Sequence, residues 1–182
     1  MHGIVSLLDE KHDQDVKSIW DELEDECGLS GIRETPYPHF SWQVADGYQV
    51  DGIEQALQSL ANEIEPFEVN AVGVGIFSGK TGVLPVLYVP VLRQQVLNFN
   101  HRLIWKKLEY CAINPKELYH AYNWMPHITL AYNDVTPEKL KYAVNLLAFR
   151  EINWKIVIDN ISYVYFNEGE TGKLKYRFEL KG

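Results

Sequence analysis

Pro38-His39-Phe40-Ser41-Trp42 and Pro126-His127-Ile128-Thr129-Leu130 are two copies of one pattern: proline, histidine, an apolar residue, a hydroxyl residue and a second apolar residue. The two histidines stand 88 positions apart, one in each half of the 182-residue chain. β-branched and aromatic residues dominate both stretches, so each reads as a strand, over 39–44 and 127–132. Side chains alternate across a strand, so His39 and Ser41 share one face while Phe40 and Trp42 share the other. The same alternation separates His127 and Thr129 from Ile128 and Leu130.

Outward from these strands the elements fall in the same order on both sides. Val16, Ile19, Trp20, Leu23 and Cys27 recur at helical spacing and Gly28 is placed for a left-handed cap, which predicts a helix over 11–28. Ile53, Leu57, Leu60 and Ile64 predict a second helix over 50–65, ended by Pro66. Leu92, Val96, Phe99 and Leu103 predict a third over 92–110. Thr136 followed by Pro137 caps a fourth, whose apolar face is Leu140, Val144 and Leu147. Further strands are expected at 4–8, 67–77, 86–91, 154–166 and 174–180. The Gly-rich polar stretches 78–82 and 167–172 read as hairpin connections between antiparallel neighbours. Each half thus runs strand, helix, histidine strand, helix, strand, which points to an internal duplication. The expected fold is α+β and bilobal with pseudo-twofold symmetry, its antiparallel sheets forming a central cleft and its helices packed outside. Residues 1–182 are expected to be one domain made of two intertwined lobes.

Composition narrows the function. With 46% apolar and 23% charged residues the chain is an ordinary globular sequence. Lys and Arg total 17 against 25 Asp and Glu, a net charge of −8, and no dense basic cluster occurs. Long duplex nucleic acid is therefore not an expected partner. The longest apolar stretch, 83–92, holds two prolines and is too short to span a bilayer, so no membrane partner is expected. The N-terminal stretch lacks the basic segment of a secretion signal. Cys27 and Cys111 form no CxxC pair, which implies neither a disulfide framework nor a zinc site, and both are expected to be buried thiols in a reducing cytoplasm.

A pseudo-twofold axis would bring the two polar strand faces together, placing His39 and His127 across one cleft with Ser41 and Thr129 beside them. Histidine exchanges protons near neutrality, so one imidazole can take a proton from a nucleophile while the other gives one to a leaving group. The hydroxyls can donate to the nonbridging oxygens of a phosphodiester. Gln43, one step further along the same face, is a candidate contact to ribose or base. Tyr88 and Tyr165, on strands expected to flank the cleft, are candidates for stacking on a base. His2, His12, His101 and His120 lack such neighbours and read as surface or loop residues. Gly73-Val74-Gly75 leads into a hairpin rather than a helix and is no phosphate loop. The acidic run 21–26 reads as the solvated face of the first helix.

His39-Phe40-Ser41-Trp42 and His127-Ile128-Thr129-Leu130 resemble the paired His-x-Thr/Ser-x signature of the two-histidine (2H) phosphoesterase superfamily, which includes the RNA 2′,3′-cyclic phosphodiesterases historically called 2′-5′ RNA ligases. The first motif has Ser41 where Thr is commoner. Several RNA-acting members carry a basic residue soon after the second motif, where this chain has Tyr132-Asn133-Asp134. The resemblance implies a hydrolase that uses no metal or other cofactor and acts on a small nucleotide or RNA terminus, with His39 and His127 as acid and base. A monomer is expected. The competing reading is a non-catalytic nucleotide or RNA-end binding module on the same fold. A metal hydrolase is disfavoured because no carboxylate follows either motif at ligand spacing.

Overall fold

The computed structural model describes residues 2–166 and 170–182. In chain order the elements are β1 (His2–Leu7), α1 (Glu10–Cys27), β2 (His39–Ala45), β3 (Gly47–Tyr48), α2 (Val50–Glu63), β4 (Phe67–Val72), β5 (Gly75–Phe77), β6 (Val86–Pro90), α3 (Gln95–Leu108), β7 (Ala112–Ile113), β8 (His127–Ala131), α4 (Pro137–Leu147), β9 (Asn153–Ile158), β10 (Asn160–Tyr165) and β11 (Lys173–Glu179). Two 3₁₀ turns, Gly31–Glu34 and Glu117–Tyr119, complete them.

Local chemistry sets the helix ends. The Asp9 carboxylate accepts from the His12 amide at the start of α1, and Gly28 closes it at φ 66°, a left-handed angle that glycine adopts without steric cost. Thr136 accepts from the Lys139 amide at the start of α4, with Pro137 in the first turn. In α3 the inward stripe differs from the expected one. Leu97, Asn100, His101, Ile104 and Leu108 are buried, whereas Val96 and Phe99 face solvent, Phe99 with 59% of its surface exposed. Two stripes at helical spacing compete here. The buried one contains Asn100 and His101, and His101 finds partners well beyond the helix: it stacks on Trp124 at 4.0 Å and bonds the Tyr119 carbonyl at 3.0 Å. His101 is therefore a core residue. His12 is likewise buried, and Cys27 is only partly covered.

Two expected strands each split in two. Gly73, at φ 69°, breaks 67–77 into β4 and β5. Stretch 154–166 breaks at Asp159 into β9 and β10. The breaks send the pieces to different sheets. One sheet has the order β11-β10-β1-β2. The other has β5-β6-β8, and the β4-β9 ladder continues along the same edge of β6 through the Ala71–Val91 bridge. All pairings are antiparallel. The expected hairpins are present around 78–82, between β5 and β6, and between β10 and β11; residues 167–169 of the second connection lie outside the described residues.

Each sheet therefore contains strands from both halves of the chain, and each histidine strand is covered by a helix from the other half. The Trp20 indole of α1 donates to the Thr129 carbonyl on β8 at 3.1 Å, and the Trp105 indole of α3 donates to the Trp42 carbonyl on β2 at 2.9 Å. Behind the motifs, Phe40, Trp42, Ile128 and Leu130 are fully buried. Trp42 stacks on Trp124, ring centres 5.5 Å apart, and so joins the two halves of the core.

The histidine strands share an irregularity that their sequences do not announce. Between β1 and β2 the register passes from Ile4–Gln43 to Val5–Ser41, leaving Trp42 unpaired. Between β6 and β8 it passes from Leu87–Ala131 to Tyr88–Thr129, leaving Leu130 unpaired. Both are bulges, at the same position of the same motif. A bulge inserts one residue and reverses the alternation beyond it.

Candidate functional site

His39 and Ser41 from β2 and His127 and Thr129 from β8 line one cleft of about 280 Å³. Gly3 and Val5 of β1, Thr35, Tyr119 and Tyr132 complete much of its wall. The two imidazoles are held in the same way. Nδ1 of His39 lies 2.6 Å from the Tyr37 carbonyl, and Nδ1 of His127 lies 2.7 Å from the Met125 carbonyl, two residues back in each case. A carbonyl can only accept, so Nδ1 carries the hydrogen in both rings and donates it. In the neutral rings the lone pair is then on Nε2.

Electrostatics favour those neutral forms. Burial pushes the His127 imidazole below the ordinary 6.5, partly offset by the Met125 carbonyl. Burial also lowers His39, against the pull of the Tyr37 carbonyl, and charge on His127 lowers it further. The two rings therefore resist being charged together. The Ser41 and Thr129 carbonyls accept indole hydrogens from Trp124 and Trp20, while their hydroxyls have no partner among the described residues.

The other three candidates lie off the cleft. Gln43 is buried and accepts from the Tyr48 hydroxyl at 3.1 Å, because the Trp42 bulge turns it inward and brings Val44 to the cleft instead. Tyr88 is also buried. Its ring stacks on Phe77 at 4.1 Å and meets the His127 ring edge-on at 5.3 Å, so it walls the histidine rather than opening toward a ligand. Tyr165 lies on the far face of its sheet beside His2, ring centres 6.0 Å apart, while Val164 of the same strand faces the cleft.

Tyr132 is a cleft residue that motif reading misses. It stands five positions after His127, as Val44 does after His39, and only the paired bulges bring these offsets to the cleft face. The rest of Tyr132-Asn133-Asp134 is structural. The Asp134 carboxylate accepts from the Ser30 and Gly31 amides at 2.8 and 3.0 Å, fastening the Gly31–Glu34 turn to the end of β8. Gly31 is needed there, since a Cβ would sit 2.2 Å from the Tyr132 carbonyl. In the other lobe Asp46 pairs with Lys116, next to the Glu117–Tyr119 turn. No lysine or arginine lines the cleft among the described residues. Lys116, Lys139 and Arg33, which stand near it in sequence, are paired with Asp46, Asp134 and the Asp21/Glu24 pair.

Two interlocked antiparallel sheets, each presenting a His-x-Ser/Thr strand to a shared cleft, define a two-histidine fold. Residues 9–169 match the model of the 2′-5′ RNA ligase superfamily, and the chain belongs to that family. Among solved structures it is similar to TT0787 of Thermus thermophilus, with 16% identity, a TM-score of 0.67, and coverage of 100% of this chain and 98% of the other. E. coli LigT in its apo form gives 14% identity and a TM-score of 0.61, over 100% and 97% of the two chains. LigT complexed with 3′-AMP gives 13% and 0.57, over 100% and 98%. At these identities the likeness shows the fold alone. No curated protein matches the sequence at a significant level.

Proposed function

We propose that the chain is a metal-independent phosphodiesterase that hydrolyses a 2′,3′-cyclic phosphate or a 2′-5′ phosphodiester of a small nucleotide or RNA end. The observation that carries this reading is the matched Nδ1 tethering of His39 and His127, which leaves two Nε2 atoms for one cleft. One Nε2 takes a proton from water as the water oxygen bonds to phosphorus. The other, as imidazolium, gives its proton to the ester oxygen whose bond to phosphorus breaks on the opposite side. Products are a phosphomonoester and a free hydroxyl, and the next cycle begins when the two imidazoles have returned to their starting protonation. Ser41 and Thr129 donate to the nonbridging oxygens. The family supports this reading, as do solved structures of LigT with phosphate and with 3′-AMP, ligands that belong to that protein.

The test is turnover in the presence of chelator on 2′,3′-cyclic mononucleotides, cyclic-phosphate-ended RNA and 2′-5′ oligoadenylate. His39→Ala and His127→Ala should each lower the rate by about 10²-fold to 10⁴-fold, the usual contribution of a positioned acid or base. Near-native turnover by either variant overturns its role. Anion binding without turnover on any substrate would leave the fold as a nucleotide-binding module.

A further inference from the structure

From its two motifs the cleft offers an anion the hydroxyls of Ser41 and Thr129 and the Nε2 atoms of His39 and His127. Each hydroxyl can donate. Each Nε2 can donate only when its ring is charged, because the Tyr37 and Met125 carbonyls already hold the Nδ1 hydrogens. A neutral ring leaves a lone pair at Nε2, which repels an anionic oxygen but accepts from a P–OH hydrogen.

Positive charge in the cleft is limited to what the histidine pair can hold. Charge on His127 opposes charge on His39, so the pair takes one proton far more readily than two. The other titratable groups that line the cleft are Tyr119 and Tyr132, phenols that donate hydrogen bonds but bring no positive charge, and Tyr88, packed on His127, is a third phenol. No lysine or arginine lines the cleft among the described residues, and Arg33, Lys116 and Lys139 are engaged by carboxylates. One imidazolium thus balances one negative charge. A second negative charge on the same phosphoryl group would stand beside a lone pair, without a counter-charge, in a cleft walled by Val5, Val44 and Val164. Burying an unbalanced charge is costly.

We infer that the cleft admits a phosphoryl group only as a singly charged anion, so that it selects phosphodiesters over phosphomonoester dianions and does not hold its own product once that product has ionised. The inference rests on the proposed function for the phosphate as ligand. Hydrolysis as written there leaves one hydrogen of the attacking water on the phosphoryl group, so the monoester is formed singly charged. It loses that hydrogen to solvent above about pH 6, and the dianion does not rebind. Charge, rather than any contact with the organic part of the ligand, then drives product release.

Calorimetric titration of the full chain with 3′-AMP and adenosine 3′-sulfate tests it. The probes match in shape, but the sulfate ester carries one charge throughout, whereas the phosphate ester carries nearly two at about pH 8 and about one at about pH 5. Protonation of the histidines is common to both probes, so the ratio of their affinities reports the charge of the ligand. At about pH 8 the sulfate ester should bind about tenfold or more tightly than 3′-AMP, and at about pH 5 the two should agree within about threefold. Tyr132→Arg, at a half-exposed cleft position, adds a cation and should remove most of the gap at the higher pH, a thermal melt close to wild type verifying that the variant is folded. Wild-type affinity for 3′-AMP equal to or above that for the sulfate ester at the higher pH overturns the inference. So does a gap of the same size at both pH values, or one that the folded arginine variant leaves unchanged. Selection of the single charge by a protein that turns over no phosphodiester supports the inference and sinks only the hydrolase reading.

Discussion

Single side chains determine the pH behaviour. Because burial lowers both cleft histidines below 6.5, the form with one neutral and one charged ring is populated on the acid side of that value. The pH profile of kcat/KM should therefore peak below about pH 6.5 and fall toward alkaline pH. A rate that stays flat to pH 8 would contradict the assignment of an imidazolium acid. His101 affects stability instead, its pKa being lowered to about 4 by burial. Between pH 6.5 and about 4 the unfolded chain takes up a proton that the folded chain refuses, so stability is full above this window and declines as pH falls through it. Urea midpoints should drop from pH 7 to pH 5, and the drop should be smaller in His101→Gln, which keeps a donor for the Tyr119 carbonyl. The cleft hydroxyls face a different requirement, because among the described residues no lysine or arginine lines the site to meet the charge of a phosphate. A hydrogen bond to a charged group contributes about 1.5–3 kcal/mol, so Ser41→Ala or Thr129→Val should weaken phosphate binding roughly tenfold or more, and Ser41→Thr should be nearly silent. Unchanged phosphate affinity in the first two variants would show that the hydroxyls play no part in anion binding. The histidine and hydroxyl positions were legible in the sequence since alternation holds over the three residues that carry them. Gln43 was misplaced because it lies just past the residue where alternation fails.

At the level of elements, hydrophobic periodicity located every long helix and marked most strand regions, but it could not choose between faces where two stripes compete. In α3 the winning stripe includes Asn100 and His101, and nothing local marks the Tyr119 and Trp124 partners of His101. The division of 67–77 between two ladders likewise depends on the left-handed Gly73, which the flanking apolar residues obscure. β3 and β7 have only two residues each, too few to carry a period. The element supporting His127 gives a sharper prediction. A Cβ on Gly75 of β5 would fall 2.5 Å from the Tyr88 ring, which is itself packed against His127. Gly75→Ala should therefore lower both the melting temperature and turnover by displacing Tyr88. Adding Tyr88→Leu, which removes the clashing ring, should recover a large part of the lost melting temperature. If the double variant melts no higher than Gly75→Ala alone, the damage arises elsewhere.

For the whole molecule, the net charge of −8 and a cleft lined by no lysine or arginine among the described residues imply that long-range attraction contributes little to substrate capture. Salt dependence scales with the number of phosphates neutralised by protein cations, so kcat/KM on a cyclic mononucleotide should change by less than about twofold between roughly 0.05 and 0.5 M salt. A steep decline would mean that a basic surface takes part. The duplication was legible as a repeated order of elements, and intertwined lobes were expected from it; which strands pair across the halves was not legible, because antiparallel pairing between distant segments leaves no periodic mark. That pairing across the halves has a consequence during synthesis. β2 and its histidine are made early, but β1 gains its second neighbour only once residues 160–165 exist, and β4 has no ladder until residues 153–158 emerge. A nascent first half therefore carries open strand edges and the uncovered Trp42 indole face, which makes it a target for aggregation rather than an independent folding unit. Expressed alone, residues 1–85 should be insoluble or unfolded by circular dichroism. Refolding of the full chain should be slow for its size, because its decisive contacts join residues more than a hundred positions apart.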